Sequence, residues 1–205
     1  TRHKTSTLNE LEILADCEPD SLILAYPITS KIKSERLSKI VKKFPKTKFS
    51  TIISTKYHYD LIKDINNLDG FYIDLDTGMN RTGILRENVD ELLDYIRMSK
   101  NKNLKGIHAY DGQTYGIVSV EERTLDTKKT LSDIRDVESQ IKEKFSYNEC
   151  EIIVGGSWSF HFYIDQKDIK LSPGTWIYWD ASNSKQKELD FEIAGLVLGQ
   201  VIDEN

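Results

Sequence analysis

Apolar and polar positions follow two different periods along the chain, and these periods predict an ordered series of strands and helices. Period-2 alternation or short apolar runs predict strands at 3–6, 22–26, 48–53, 70–76, 104–108, 151–155 and 176–180. Apolar residues at helical spacing predict helices at 8–15, 35–44, 56–65, 89–98 and 120–145, and a one-turn helix after Ser157. Thr7 and Glu10 have the spacing of a capping box and are expected to begin the first helix.

Strands that alternate with helices favour a parallel sheet, because each crossover must return the chain to the same end of the sheet. Two arrangements satisfy this rule: a closed (β/α)8 TIM-type barrel and an open doubly wound sheet. No GxGxxG motif follows the first strand, so a dinucleotide-binding sheet has little support. The strand count favours an α/β protein with a (β/α)8 barrel that lacks its first strand in this chain.

The C-terminal segment has a different pattern from the rest of the chain. Residues 190–202 are dense in aliphatic residues and follow the polar stretch Ala181–Leu189, which predicts the first strand of a C-terminal β domain. We therefore expect a barrel domain over residues 1–186 and the beginning of a β domain over 187–205. Because a predicted strand begins almost at Thr1, we expect the chain to be an interior part of a longer protein.

Composition narrows the class of protein. Hydrophobic residues make up 39% and charged residues 30% of the 205 positions, as in globular proteins, and the apolar runs are too short to span a membrane. A net charge of −5 without a basic stripe argues against nucleic acid as the main partner. The two cysteines and the histidines lack metal-ligand spacing, so no metal site is predicted, and a reduced cytoplasmic setting is expected.

Polar side chains collect at the ends of the predicted strands. Alternation on the strand at 70–76 sends Tyr72, Asp74 and Asp76 to one face, and a turn flanked by glycines then presents Arg81. In parallel α/β proteins the carboxyl edge of the sheet is the usual place for an active site. The same residues are also compatible with two capping aspartates, an ordinary turn and a surface arginine.

The next two strand ends carry further candidates. Residues 106–112 bring His108, Tyr110 and Asp111 together, and this histidine could face an active site or be packed in the core. Residues 155–159 read Gly-Gly-Ser-Trp-Ser, and free N–H groups at a helix start after Ser157 would favour a phosphate. The segment Pro173-Gly174-Thr175 could add further backbone N–H groups from the neighbouring strand. A turn with a serine N-cap is the alternative for this segment.

Taken together, these motifs resemble the alanine racemase-like barrel class of pyridoxal-phosphate enzymes (fold type III), and within it the branch of D-threonine aldolase and D-serine dehydratase. The resemblance is carried by KTSTLNELEILAD at 4–16, LILAYPI at 22–28, DLDTGMNRTGI at 74–84, GIHAYDGQ at 106–113, VGGSWSF at 154–160 and SPGTWIYWD at 172–180. It covers nearly the whole chain.

The resemblance implies pyridoxal 5'-phosphate as cofactor and a role for each matching residue. Arg81 would lie beside the phenolic oxygen of the cofactor, and His108 would pack against its pyridine ring. The phosphate would be held by Gly156, Ser157, Gly174 and Thr175. The mouth of the barrel would be closed by Tyr178 and Asp180. The Schiff-base lysine would lie on a strand before Thr1, so the catalytic lysine is unknown here, and Lys4, on the following strand, receives no role.

The implied reaction is the retro-aldol cleavage of a D-3-hydroxy amino acid, such as D-threonine to glycine and acetaldehyde, by a homodimer. A divalent metal would be bound by residues beyond Asn205. Ser172 replaces the arginine that contacts the pyridine nitrogen in alanine racemase, and Gln113 replaces a histidine common in the aldolase branch. The alternatives are therefore elimination as in D-serine dehydratase, amino-acid racemisation, and a non-catalytic protein that binds pyridoxal phosphate.

Overall fold

The computed structural model describes residues 1–99 and 103–203 and shows a curled parallel sheet with helices on its outer face. The seven strands are β1 (Arg2–Thr5), β2 (Ser21–Leu24), β3 (Lys48–Ile53), β4 (Gly70–Leu75), β5 (Leu104–Ala109), β6 (Glu151–Val154) and β7 (Ile169–Leu171). The five α-helices are α1 (Leu8–Ala15), α2 (Lys31–Lys43), α3 (Lys56–Ile62), α4 (Val89–Arg97) and α5 (Val120–Phe145).

Each strand pairs in parallel with the next one along the chain, from β1 to β7. This sequential order is that of a (β/α) barrel rather than of a doubly wound sheet, in which the strand order reverses. The predicted fold class is therefore confirmed as a partial barrel, curled and open between β1 and β7.

Helix starts follow from short polar side chains in the sequence. Thr7 accepts the N–H of Glu10, and the Glu10 carboxylate accepts the N–H of Thr7, so the predicted capping box is confirmed. Ser30, Thr55 and Ser119 cap α2, α3 and α5 in the same way by accepting a backbone N–H three residues later. These caps satisfy donors that a helix leaves free at its N-terminus.

The two faces of the sheet have different packing partners. On β4, Phe71, Ile73 and Leu75 point outward into the large core that the helices cover. A separate small cluster lies on the concave side and contains Ile23, Ile52, Tyr72 and Ile153.

Side chains from the ends of the sheet approach each other across its concave side. At the carboxyl edge, Lys4 Nζ of β1 donates to Ser172 Oγ, directly after β7, over 2.8 Å. At the amino edge, Arg2 Nη1 donates to Glu151 Oε2 over 2.9 Å. β1 and β7 thus flank a cavity of about 620 Å³ whose lining includes Lys4, Ile23, Ile153, Lys170, Ser172 and Gly174.

The last predicted strand is wrong. Residues 169–171 form β7, whereas Thr175–Ile177 form a short 3₁₀ turn and the remainder of 176–180 is irregular. The aromatic run Trp176 to Trp179 resembles a strand by composition. Its side chains instead pack with the tail, where Phe191 contacts Trp176 and Trp179 at ring-centroid distances of 5.8 and 4.9 Å.

The described part of the expected β domain, residues 187–203, contains no strand, so the predicted strand at 190–202 is wrong. Leu196, Val197 and Leu198 are at least 89% exposed, and an isolated apolar strand without a partner gains nothing from its extended pattern. Residues 204 and 205 lie outside the described residues, and the domain boundary itself stays a prediction. Over the described residues, no helix combines the length and the apolar character that crossing a membrane requires.

Candidate active site

Arg81 is presented by a loop that folds back onto the end of β4. The backbone N–H of Ile84 donates to the Asp74 carbonyl, and the N–H of Asp76 donates to the Ile84 carbonyl. Inside the loop, Asp76 Oδ1 accepts the N–H groups of Gly78 and Asn80. Asp76 thus caps the turn, as the simpler interpretation of the sequence had it, while the closed loop holds Arg81 at the carboxyl edge of the sheet.

Asp74 and His108 form a buried pair at the centre of this edge. They are register partners on the neighbouring strands β4 and β5, and Asp74 Oδ1 lies 2.7 Å from His108 Nδ1. Both side chains are about 4% exposed. Burial lowers the pKa of His108, and the bond to Asp74 opposes this effect only in part. The imidazole is therefore neutral near pH 7, with Nδ1–H donating to Asp74 and the lone pair of Nε2 free for another donor.

Lys4 supplies that donor, although the sequence analysis gave it no role. Its Nζ lies 3.5 Å from His108 Nε2 and donates to Ser172 Oγ. Burial lowers the pKa of Lys4 to about 8, against the attraction of Asp74 and Asp111 and with a smaller contribution from the nearby Arg81 cation. The sequence placed Lys4 on a predicted strand but could not show its contact with Ser172, 168 residues away, because that contact depends on the fold.

Tyr110 connects Arg81 with the Gly-Gly-Ser segment. The guanidinium carbon of Arg81 lies 4.9 Å from the centre of the Tyr110 ring, which is a cation–π contact. On the other side, a Cβ at Gly156 would lie 3.2 Å from Tyr110 Cε2, so glycine gives the ring room to approach. Arg81, His108 and Tyr110 also line one small pocket together with Asp74 and Met79. The structure thus brings Arg81, His108 and Gly156 into one region.

Asp111 holds the Gly-Gly-Ser segment (155–157) by a hydrogen bond from the interior of the protein. Its buried carboxylate accepts the N–H of Gly156 through Oδ1 at 2.9 Å and the hydroxyl of Tyr163 through Oδ2 at 2.8 Å. The N–H of Gly156 also donates to Ser159 Oγ, so this N–H is already engaged inside the protein. No motif in the sequence pointed to Tyr163, because only the fold brings it to Asp111.

Ser157 and Thr175 bring two hydroxyl groups together next to the segment that Asp111 holds. Ser157 Oγ lies 3.0 Å from Thr175 Oγ1, although the two residues follow different strands. Among the described residues, no acceptor is found for the backbone N–H groups of Ser157 and Gly174. The arrangement therefore offers two hydroxyls and unpaired N–H groups at one rim of the sheet, which is suitable chemistry for an anion.

Tyr178 and Asp180, which were predicted to close the mouth of the barrel, contact the tail and a local turn instead. The Tyr178 carbonyl accepts the N–H of Ala194, and its ring lies against Gly195 in the tail. Asp180 Oδ1 accepts the N–H groups of Ser182 and Asn183, so it caps a local turn. These contacts do not bring Tyr178 or Asp180 to the residues around His108.

The assembled groups are suited to a flat anionic ligand with a carbonyl function. They comprise an amine, a neutral imidazole, a guanidinium and a hydroxyl pair on a single edge of the sheet. Over residues 1–99 and 103–203, no group of three or more histidine, cysteine, aspartate or glutamate side chains could hold a metal ion. The metal expected beyond Asn205 stays a prediction.

Comparison with known proteins gives structural relatives of low sequence identity. No protein-family model matches the chain, and no curated protein matches it by sequence. D-threonine aldolase from Filomicrobium marinum superposes with a TM-score of 0.82 and 16% identity over 93% of this chain and 53% of that one. An alanine racemase-like protein from Idiomarina loihiensis gives 0.77 and 19% over 91% and 50%.

A third solved structure is D-threo-3-hydroxyaspartate dehydratase from Delftia sp. HT23, with a TM-score of 0.70 and 15% identity over 86% of this chain and 48% of that one. The chain spans about half the length of each of these structures. At such identities the likeness establishes the fold and not the reaction. The chain therefore has the barrel fold of the alanine racemase-like, fold-type III enzymes, as the sequence resemblance predicted.

Proposed function

We propose that the carboxyl edge of the sheet binds pyridoxal 5'-phosphate, and that the full protein uses it to cleave a D-3-hydroxy amino acid of the D-threonine type. The observation that carries the proposal is the meeting of Arg81, His108 and the Ser157–Thr175 hydroxyl pair around Tyr110 and Lys4. The superposition with a D-threonine aldolase supports the choice of reaction.

The residues present fit the cofactor by their chemistry. Ser157 and Thr175 would hold the phosphate with the unpaired N–H groups beside them. Gly174 lines the cavity between β1 and β7, which supplies volume next to this rim. Arg81 would neutralise the phenolate, and the flat imidazole of His108 would contact the ring.

The cofactor, when bound, supplies an electron sink for the negative charge that bond cleavage leaves on the substrate. The residues of this chain would bind the cofactor and fix its orientation. Asp74 fixes the His108 tautomer, so its ring keeps one orientation and its Nε2 accepts a proton or hydrogen bond. Asp111 keeps the Gly-Gly-Ser segment in place, so the phosphate site is preorganised.

Binding can be tested without knowledge of the substrate. Pyridoxal phosphate should quench the tryptophan fluorescence of the protein in a saturable way. A Ser157→Ala, Thr175→Ala double variant should bind at least about tenfold more weakly, because charge-assisted hydrogen bonds to a phosphate contribute about 1.5–3 kcal/mol each. Lys187→Ala, an exposed change in the region after β7, is the matched control and should leave the affinity unchanged. Equal affinity for the double variant would refute the site.

The reaction can be tested in the full protein with D-threonine and D-serine, with and without a divalent metal. Glycine and acetaldehyde as products from D-threonine would support the aldolase reaction. The proposal also includes a homodimer and a cytoplasmic location for the full protein. Pyruvate and ammonia from D-serine would favour elimination, for which the dehydratase structure is the supporting neighbour. Racemisation has less support, because Ser172 replaces the arginine of alanine racemase and is bound to Lys4 here.

A non-catalytic binding protein is the candidate from another class. It would bind pyridoxal phosphate at the same residues and turn over none of the D-amino acids. Saturable binding without product in the full protein would select this function.

A further inference from the structure

We propose that Arg123 and Gln186 are positioning residues for the phosphate site, because they hold the backbone carbonyls of Ser157 and Trp158 and so fix the orientation of this segment. The proposal rests on the proposed function, in which Ser157 and Thr175 bind the phosphate. Arg123 and Gln186 are at most 1% exposed, so they act through the backbone that they hold and not on the ligand.

Arg123 joins three separate parts of the fold. Its Nη1 donates to the Trp158 carbonyl over 3.2 Å and to Gln186 Oε1 over 3.1 Å. Its Nη2 lies 2.6 Å from Glu188 Oε1, and its guanidinium carbon lies 5.5 Å from the ring centres of Trp158 and Phe162. One buried cation near the start of α5 therefore contacts both the segment after β6 and the segment after β7.

The charge of this cation is balanced where it lies. Glu188 supplies the carboxylate, and its Oε1 also lies 3.3 Å from His161 Nε2. Burial lowers the pKa of His161, so the imidazole is neutral near pH 7 and adds no second cation beside Arg123. Burying a charge is costly unless the group is paired and hydrogen-bonded, and Arg123 has both an ion pair and two hydrogen bonds. The guanidinium can therefore hold backbone where water does not compete for its N–H groups.

Gln186 links the guanidinium to Ser157. Its Oε1 accepts from Arg123 Nη1, and its Nε2 donates to the Ser157 carbonyl over 3.2 Å. Because a guanidinium can only donate, it fixes which end of the Gln186 amide is the oxygen. The amide NH2 group must then face the Ser157 carbonyl.

These contacts set the directions of the neighbouring N–H groups. The C=O and N–H bonds of a trans peptide point in opposite directions, so the Ser157 carbonyl held by Gln186 turns the N–H of Trp158 the other way. The Gly156 carbonyl accepts the N–H of Ser159, which likewise turns the N–H of Ser157 away. Among the described residues, no acceptor is found for the N–H groups of Ser157 and Trp158. Two successive N–H groups are thus unpaired and fixed in direction, which suits an anion.

The loss of the Gln186 donor should act on phosphate binding selectively. The peptide between Ser157 and Trp158 would then be free to rotate, and its N–H would lose its fixed direction. A ligand that needs this N–H must pay for ordering it on binding. The affinity for a phosphorylated ring should fall, whereas the affinity for the same ring without phosphate should not.

The test compares the affinities of the full protein for pyridoxine phosphate and for pyridoxine, measured by calorimetry. Gln186→Met removes the donor without a change in charge. It should weaken the binding of pyridoxine phosphate about three- to tenfold, the size of one ordinary hydrogen bond, and leave that of pyridoxine within about twofold. Arg123→Lys should have the same selective effect, because an ammonium does not reproduce the forked contacts of a guanidinium.

Ser184→Ala is the matched control. It removes a hydrogen bond to the Ala181 carbonyl within the segment that carries Gln186, and both affinities should stay unchanged. The phosphorus NMR signal of bound pyridoxine phosphate gives a second readout that does not depend on a measurable affinity for pyridoxine. This signal should shift in Gln186→Met and stay at the position of the unmodified protein in Ser184→Ala.

The outcomes separate this inference from the proposed function. Equal losses for pyridoxine phosphate and pyridoxine in Gln186→Met, with an unshifted phosphorus signal, would mean that the residue only supports the fold and would refute the positioning role. Unchanged binding of pyridoxine phosphate would also refute it and leave the proposed function standing. Failure of the unmodified protein to bind either compound would overturn both. Gln186→Met leaves the ion pair of Arg123 and Glu188 in place, so the test does not depend on the folding of Arg123→Lys.

Discussion

Replacement of Asp111 tests whether the Gly-Gly-Ser segment is held from within the protein. The carboxylate is fully buried and accepts two hydrogen bonds, from Gly156 N–H at 2.9 Å and from the Tyr163 hydroxyl at 2.8 Å. Asp111→Ala removes both acceptors. The Gly156 N–H keeps Ser159 Oγ as an acceptor, so the larger penalty falls on the buried Tyr163 hydroxyl.

The expected loss follows from these contacts. Leaving a buried polar group unsatisfied costs about 1–3 kcal/mol, and a hydrogen bond to a charged group is worth about 1.5–3 kcal/mol. Because one of the two donors retains a partner, we expect Asp111→Ala to lower the free energy of unfolding by about 2–4 kcal/mol. Asp111→Asn keeps one acceptor oxygen for Gly156 and should lose about half as much.

Urea denaturation followed by circular dichroism measures these differences. Tyr163→Phe, combined with Asp111→Ala in a double-mutant cycle, isolates the contact between the two side chains, for which we expect a coupling of about 1–2 kcal/mol. Asp165→Ala, an exposed aspartate near Tyr163 in the chain, is the control and should change stability by less than about 0.5 kcal/mol.

Two outcomes would contradict this reasoning. A loss for Asp111→Ala no larger than that of Asp165→Ala would mean that the buried carboxylate does not hold the segment. Additive effects of Asp111→Ala and Tyr163→Phe would mean that the two side chains do not interact in solution.

Three further predictions concern the loop and the buried bases. Gly83 has φ of +113°, and an added Cβ would lie 2.6 Å from the Asp76 backbone nitrogen. Gly83→Ala should therefore lower the free energy of unfolding, measured by denaturation, by about 1–3 kcal/mol. Gly199→Ala, where an added Cβ meets open space, should leave it unchanged. The pKa of His108 is lowered in the folded state, so its contribution to stability is present above pH 6.5 and is lost as the pH falls. His108→Gln should therefore flatten the dependence of the free energy of unfolding on pH between about pH 7.5 and 5.5. An unchanged slope would contradict the lowered pKa of His108. The lowered pKa of Lys4 means that its cation opposes folding at neutral pH, so Lys4→Met should stabilise the protein by about 1–3 kcal/mol at pH 7, and the gain should shrink between pH 8 and 10.5.

Much of the fold could be predicted from sequence because local and tertiary preferences agree. The bounds of α1, β3 and α5 were predicted to the residue, since each is a strongly patterned segment with a cap or turn at its start. Parallel order followed from the alternation of strands and helices. The aromatic segment 176–180 was mistaken for a strand because its residues favour strands by composition, while β7 is three residues long and lacks such a signal.

The candidate site was predicted in part. Arg81, His108 and the Ser157–Thr175 pair are brought to one edge because each lies at or after the carboxyl end of a parallel strand, and these ends meet. Lys4 and Tyr163 were not identified, because their importance depends on contacts with residues far along the chain. Tyr178 was placed by resemblance alone, and its contacts with the tail could not be foreseen from a segment without a regular pattern.

A crystal structure of the protein with pyridoxine phosphate tests the central claim most directly. The account predicts the phosphate at the Ser157 and Thr175 hydroxyls and the ring between Arg81 and His108. The opposite end of the sheet offers a competing cavity of about 490 Å³, whose cationic lining includes Lys46, Lys48 and Lys105. A phosphate bound there, with the carboxyl edge empty, would contradict the account.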